Sequence, residues 1–196
     1  MSGVTQPETG DAPRSVQWPV QTRRLTLRAA TPGDLEATWR FRGLDEVSRW
    51  LTRAPSSIGE YRKDFLEPAS LRKTVVVELA GRVIGDLMLD VGDAWAQAEL
   101  AERARGTEAE LGWVLHPDHA GRGYATEAVR ELIRICFDEL GLRRVTASCF
   151  LENEPSWRLM ERVGMRREAH QVAESLHRSG QWLDTVWYAL LAEERG

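Results

Sequence analysis

Glycines between a strand-like run and a helix-like run carry the first chemistry in this 196-residue chain. In residues 109–115, Leu111, Trp113 and Leu115 alternate with Glu110, Gly112 and Val114, the period of a strand. Pro117 ends that strand, and a helical pattern runs from about Tyr124 to Leu140. Its apolar face is Ala125, Ala128, Val129, Leu132, Cys136 and Leu140. Between the two lies Gly121-Arg122-Gly123. Glycine lets backbone bend tightly and approach a ligand, and a helix start offers unpaired N–H groups at its positive dipole end. The stretch is therefore either an anion cradle or a tight turn. A nucleotide P-loop needs Lys and then Ser or Thr after the last glycine, where Tyr124 and Ala125 stand. A dinucleotide fingerprint needs a small third residue where Thr126 stands, although Glu152 could imitate its ribose-binding acid.

Other reactive side chains read more plainly. Cys136 falls on the apolar helix face and Cys149 alternates with Val145 and Ala147, so both read as small core residues. Asp86 and Asp90 share one face of a strand and read as exposed charges, without further ligands to make a metal site. His170 and His177 border a region that could meet an acceptor, yet isolated histidines there read as surface residues.

The elements that must position these groups follow from composition and pattern. Residues 1–15, rich in Gly, Pro and polar types, read as a disordered tail, and residues 16–196 as a single domain. A net charge of −4 argues against a nucleic-acid partner and is compatible with a cationic amine substrate. No stretch is long enough for a membrane span and the N-terminus lacks a signal segment, so the expected location is cytoplasmic. Residues 21–34 give a strand and then a helix start with Thr31 as N-cap and Pro32 as first helical residue. Helical stretches follow near 34–42 and 58–67. Trp39, Phe41, Trp50, Tyr61 and Phe65 are core or pocket lining, with Trp50, beside a loop, assigned to the pocket. Residues 73–80 and 83–91 form a hairpin, and 92–108 an insertion of unassigned role. Residues 143–150 form a strand parallel to the central one. A helix follows from Asn153 to about Val163, with Gly164 as its cap, and then a hairpin of 165–174 and 183–191.

The run Gly121-Arg122-Gly123-Tyr124-Ala125-Thr126-Glu127-Ala128 resembles the acyl-CoA loop of the GNAT superfamily of N-acetyltransferases, Gln/Arg-x-x-Gly-x-Gly/Ala. Gly123 and Ala125 match, while Ala120 stands where Gln or Arg is usual. Thr22, Arg24, Leu25, Leu27, Arg28 and Asp34 resemble the Thr-x-Arg-Leu-x-Leu-Arg opening of the RimJ/RimL-type branch. As strand-edge charges, Arg24 and Arg28 also need only nearby carboxylates to explain them. Asn153-x-x-Ser156 with Gly164-Met165 resembles that branch's Asn-x-x-Ser and Gly-Phe pattern, and Gly180, Asp184 and Tyr188 its closing residues. The terminal hairpin counts against a dehydrogenase, whose domain would continue in strand–helix units.

The resemblance implies an α/β (α+β) fold with a central mixed, mostly antiparallel, splayed sheet flanked by helices. It implies acetyl-CoA as co-substrate, no metal, and a primary amine acceptor, with protein N-terminal α-amines ahead of polyamines, aminoglycosides and amino acids. A homodimer is compatible with it. The coenzyme would lie against Val114, Leu115, Ala120, Gly121, Arg122, Gly123, Tyr124, Ala125, Thr126 and Asn153, with an N–H near Val114 or Leu115 facing the thioester oxygen. Glu110 is the expected base and Ser156 the expected acid, because Met160 occupies the place where many relatives carry tyrosine. Each has a plainer reading, Glu110 as a strand charge and Ser156 as a helix cap. An alternative function is a catalytically silent acyl-CoA-binding module.

Overall fold

A computed structural model describes residues 15–195, so the expected N-terminal tail lies, but for Ser15, outside the described residues. Eight strands form one sheet: β1 (Val20–Gln21), β2 (Leu25–Ala29), β3 (Thr74–Leu79), β4 (Arg82–Gly92), β5 (Glu108–Leu115), β6 (Arg144–Phe150), β7 (Arg166–Leu176) and β8 (Trp182–Leu191). Their spatial order is β1-β2-β3-β4-β5-β6-β8-β7, and β5–β6 is the parallel pair in an otherwise antiparallel sheet. The helices are α1 (Leu35–Arg42), α2 (Asp45–Ser48), α3 (Ile58–Phe65), α4 (Pro68–Lys73), α5 (Ala101–Ala104), α6 (Tyr124–Arg134) and α7 (Glu154–Arg162).

Along β3 both faces of the sheet are covered. Val75, Val76 and Val77 of β3 are all buried, so alternation fails there and a continuous apolar run replaces it. One face packs on α6, through Ala128, Val129 and Leu132, and on Leu159 and Met160 of α7. A smaller cluster of Leu35, Tyr61 and Phe65 joins α1 and α3 on their own. The expected apolar face of α6 is inward, but its last turn widens into a π-helical turn at Ile135–Glu139, closed by Leu140 N–H to the Ile135 carbonyl at 3.0 Å. That wider turn puts Ile135, Cys136 and Phe137 all in the interior. The inserted segment 92–108 holds a 3₁₀ turn and α5.

Asp86 overturns the expectation of an exposed charge. It is fully buried, and Arg42 of α1 grips it with two hydrogen bonds of 2.7 and 2.5 Å. Its neighbour on that strand face, Asp90, pairs with Lys73 at 2.6 Å. Arg28 likewise pairs with Asp34 and Glu78, as strand-edge reasoning expects.

Candidate active site

The central opening is made by register. β5 and β6 pair over Glu108–Glu110 and Arg144–Thr146 and then part, although β5 runs to Leu115 and β6 to Phe150. On its other edge β5 stays paired with β4 from Glu108 to Leu115. His116 N–H donates to the Ile84 carbonyl at 2.8 Å. Backbone groups alternate sides along a strand, so Val114 N–H points toward β4 while Trp113 and Leu115 present theirs to the opening. Of the two expected donors, Leu115 is the one aimed at the gap. Gly85 makes this close approach of β4 to β5 workable, since a Cβ there would overlap the Val114 carbonyl oxygen.

The gap continues into a groove of roughly 2000 Å³. Glu110, Val114, Leu115, Ala120, Gly121, Gly123, Tyr124, Ala125, Thr126, Asn153, Ser156 and Trp50 all line it. Gly121 and Gly123 are left-handed, with φ of 71° and 77°, and Gly123 is the N-cap of α6. Two such residues around one arginine turn the chain sharply and leave the first N–H groups of α6 facing the groove. The same turn sends the Arg122 side chain outward, where it lines a separate depression, and its carbonyl accepts from Arg24 Nη1 at 3.0 Å.

Arg24 is the clasp that steadies this loop. Its Nε donates to Glu127 at 2.6 Å, its guanidinium lies 4.5 Å over the Tyr124 ring, and Thr22 Oγ1 donates to Glu127 at 2.6 Å. Burial opposes the Glu127 carboxylate, yet the bonds from Thr22 and Arg24 outweigh it and hold its pKa below the ordinary value. The Thr22 and Arg24 positions were visible in the sequence as a motif, but Glu127, their partner, was not singled out.

Glu110 stands on the groove wall, and loss of solvent there, then the Asp90 charge, pushes its carboxyl up. Asn153, the N-cap of α7, makes no side-chain cap bond. Met160, at the place of the missing tyrosine, is fully buried. Cys136 is a core residue with its thiol pushed up to about 12, by burial. Cys149 packs against the core but is only half-buried and also lines the groove, and burial pushes its thiol up to about 11. Neither is a ready thiolate nucleophile.

Trp50 forms the outer wall. Its ring lies 6.2 Å from Phe150 and 5.9 Å from His177, with the Arg49 guanidinium 4.5 Å above it. The tip of the β7–β8 hairpin fastens this loop: His177 Nε2 meets the Arg49 carbonyl at 2.9 Å and Arg178 donates to the Leu51 carbonyl. His177 is thus a packing partner rather than a solitary surface residue, whereas His170 pairs with Asp184 at 2.6 Å. Tyr61 and Phe65 are buried and also line the groove, so core and lining are not exclusive there.

Residues 24–166 match the family described as Acetyltransferase (GNAT) domain. The uncharacterized N-acetyltransferase YnaD of Bacillus subtilis (strain 168) is 40% identical over 85 residues, 43% of this chain and 49% of its own, so that match spans about half of the relative. YdaF of the same organism, whose name provisionally makes it a ribosomal N-acetyltransferase, is 31% identical over 87% of this chain and 92% of its own. The crystal structure of a GNAT-family acetyltransferase from Bacillus anthracis superposes with a TM-score of 0.75 at 28% identity, covering 89% of this chain and 98% of that one. No helix among the described residues is long and apolar enough to cross a membrane.

Proposed function

The chain belongs to the GNAT acetyltransferase family, and on that premise we propose direct transfer of an acetyl group from acetyl-CoA to a primary amine. The observation that carries this reading is the parting of β5 from β6 beside the left-handed Gly121–Gly123 turn, which joins an open strand edge to an anion cradle. Bound there, acetyl-CoA would supply an activated acetyl group. The residues present suit it: α6 N–H groups for the pyrophosphate, the β5 edge for the pantetheine amides, and Asn153 on the facing wall. Ala120 adds no side-chain donor, so the backbone carries the grip.

Each residue then has one task. Glu110, through water, takes the proton that the ammonium must lose before its nitrogen can attack the thioester carbon. Leu115 N–H donates to the carbonyl oxygen as it gains charge. Ser156 Oγ donates to the sulfur as the carbon–sulfur bond breaks, and a thiolate of pKa about 8.5 needs little more. Without a ready thiolate in the groove, the amine attacks within a ternary complex rather than through an acyl-enzyme. The branch resemblance favours a protein N-terminal α-amine as acceptor, in the RimJ/RimL manner, and the ribosomal assignment in the name of YdaF agrees with a protein acceptor. Two groove carboxylates without an ion pair among the described residues, Glu46 and Glu110, suit any cationic amine.

Glu110→Gln should lower kcat while leaving the affinity for acetyl-CoA unchanged. The sign of the pH dependence follows from the raised pKa. As pH falls through it the carboxylate protonates and kcat/KM falls, so the acid limb lies above the ordinary glutamate value of 4.5 and vanishes in the variant. A limb that persists in Glu110→Gln would take Glu110 out of the reaction. Arg178→Ala, by loosening the loop that holds Trp50, should raise the acceptor KM by roughly fivefold without moving the acetyl-CoA affinity. The whole reading is tested by calorimetric titration with acetyl-CoA, followed by an amine and peptide panel scored by coenzyme A release. Binding without release for any acceptor would favour the silent module, and absence of binding would end the enzyme reading.

A further inference from the structure

The outer side of the strand-to-helix loop holds a second depression, of about 220 Å³. Arg40, Arg82, Arg122, His116, His119 and Asp118 line it. Three elements deliver the three guanidinium groups: the last turn of α1, the first residue of β4, and the residue between the two left-handed glycines. Three arginines of the groove are spent on carboxylates, Arg24 on Glu127, Arg42 on Asp86 and Arg53 on Asp64. Here the one lining carboxylate, Asp118, stands 3.8 Å from His116 Nδ1, and among the described residues no arginine of the three has an ion pair.

The cations feel one another. Desolvation first, then His116, Arg122 and Arg82, hold the His119 pKa below its ordinary value. His119 forms the wall shared with the groove, and its Nδ1 is buried with no hydrogen-bond partner among the described residues. A pocket that gathers like charges without carboxylate partners is stabilised by an anion. The guanidinium fork matches the oxygens of phosphate.

We propose that this depression is a phosphate subsite, closed by Arg40, Arg82 and Arg122 around one phosphate group. Two sources share that chemistry. One is the 3′-phosphate of coenzyme A, which rests on the coenzyme reading above. The other is free phosphate, which does not.

The test compares wild type with the Arg40→Gln/Arg82→Gln double variant, neither position lining the groove. Coenzyme A, 3′-dephospho-coenzyme A and inorganic phosphate are titrated by calorimetry, with unfolding temperature as the control for folding. If the coenzyme is the source, wild type binds dephospho-coenzyme A roughly tenfold more weakly than coenzyme A, and the variant closes that gap. If free phosphate is the source, wild type saturates with phosphate even when coenzyme A is bound, and the variant does not. Phosphate binding without any coenzyme binding would sink the coenzyme reading and keep the subsite. The proposal is overturned if neither a phosphate-dependent gap nor phosphate binding distinguishes the two proteins.

Discussion

Gly123→Val is expected to weaken acetyl-CoA binding by about 100-fold or more, since several backbone hydrogen bonds are lost together. At φ of 77° a residue with a Cβ is strained, and a β-branched one is a steric outlier. The new Cβ would also stand 3.4 Å from Arg24 Nη2, which belongs to the guanidinium already fixed by Glu127 and the Arg122 carbonyl. Relief of the strain, and of the crowding by the valine methyls beyond that contact, rotates the first N–H groups of α6 out of the groove. Gly121→Ala separates the causes, because a Cβ at Gly121, φ 71°, meets nothing within 4 Å. Backbone strain alone should cost that variant far less affinity than Gly123→Val. Calorimetry on both, with unfolding temperatures, reads the difference. Equal binding by wild type and Gly123→Val would remove the cradle from the proposal.

Local signals carried much of this site. The loop was legible because alternation in β5 changes to helical period within a few residues, and glycine is the residue that spans such a change. The terminal hairpin and the Asn153 helix start were visible for the same reason. What escaped are facts of register and reach. Pairing of β5 with β6 stops after Glu110, and nothing in either strand's composition marks where two strands part. The loop setting of Trp50 is local, but its fastening by His177 and Arg178 spans more than 120 positions. The short helices α2 and α4 lack the two turns from which a period can be read. Asp86 misled for a related reason. A charge on an alternating strand reads as solvent-facing unless its partner is known, and Arg42 lies 44 positions earlier on a helix that crosses β4.

That buried pair yields the second large effect. Arg42→Met should destabilise the fold by about 3–5 kcal/mol, the usual cost of leaving one partner of a buried ion pair uncompensated. For a chain of this size that is a fall of roughly 10 °C in unfolding temperature. Asp86 is wholly shielded, whereas the Arg42 side chain keeps 27% of its exposure at the groove, so the carboxylate is the partner that cannot recover solvent. Asp86→Leu combined with Arg42→Met should therefore restore most of the loss, since an apolar pair of similar volume replaces both charges. The pair also has a place in the chemistry. Asp86 stands opposite Val114 in the β4–β5 ladder, next to the Leu115 N–H assigned to the thioester oxygen. In the single variant, assayed well below its unfolding temperature, kcat should fall further than acetyl-CoA affinity, because the cradle at Gly123 lies beyond the strand end. The double variant then decides whether the ion pair is there for stability alone. Recovery of unfolding temperature without recovery of kcat would mean that Arg42, on the groove wall, also positions the acceptor. Recovery of both would confine the pair to holding α1 against β4.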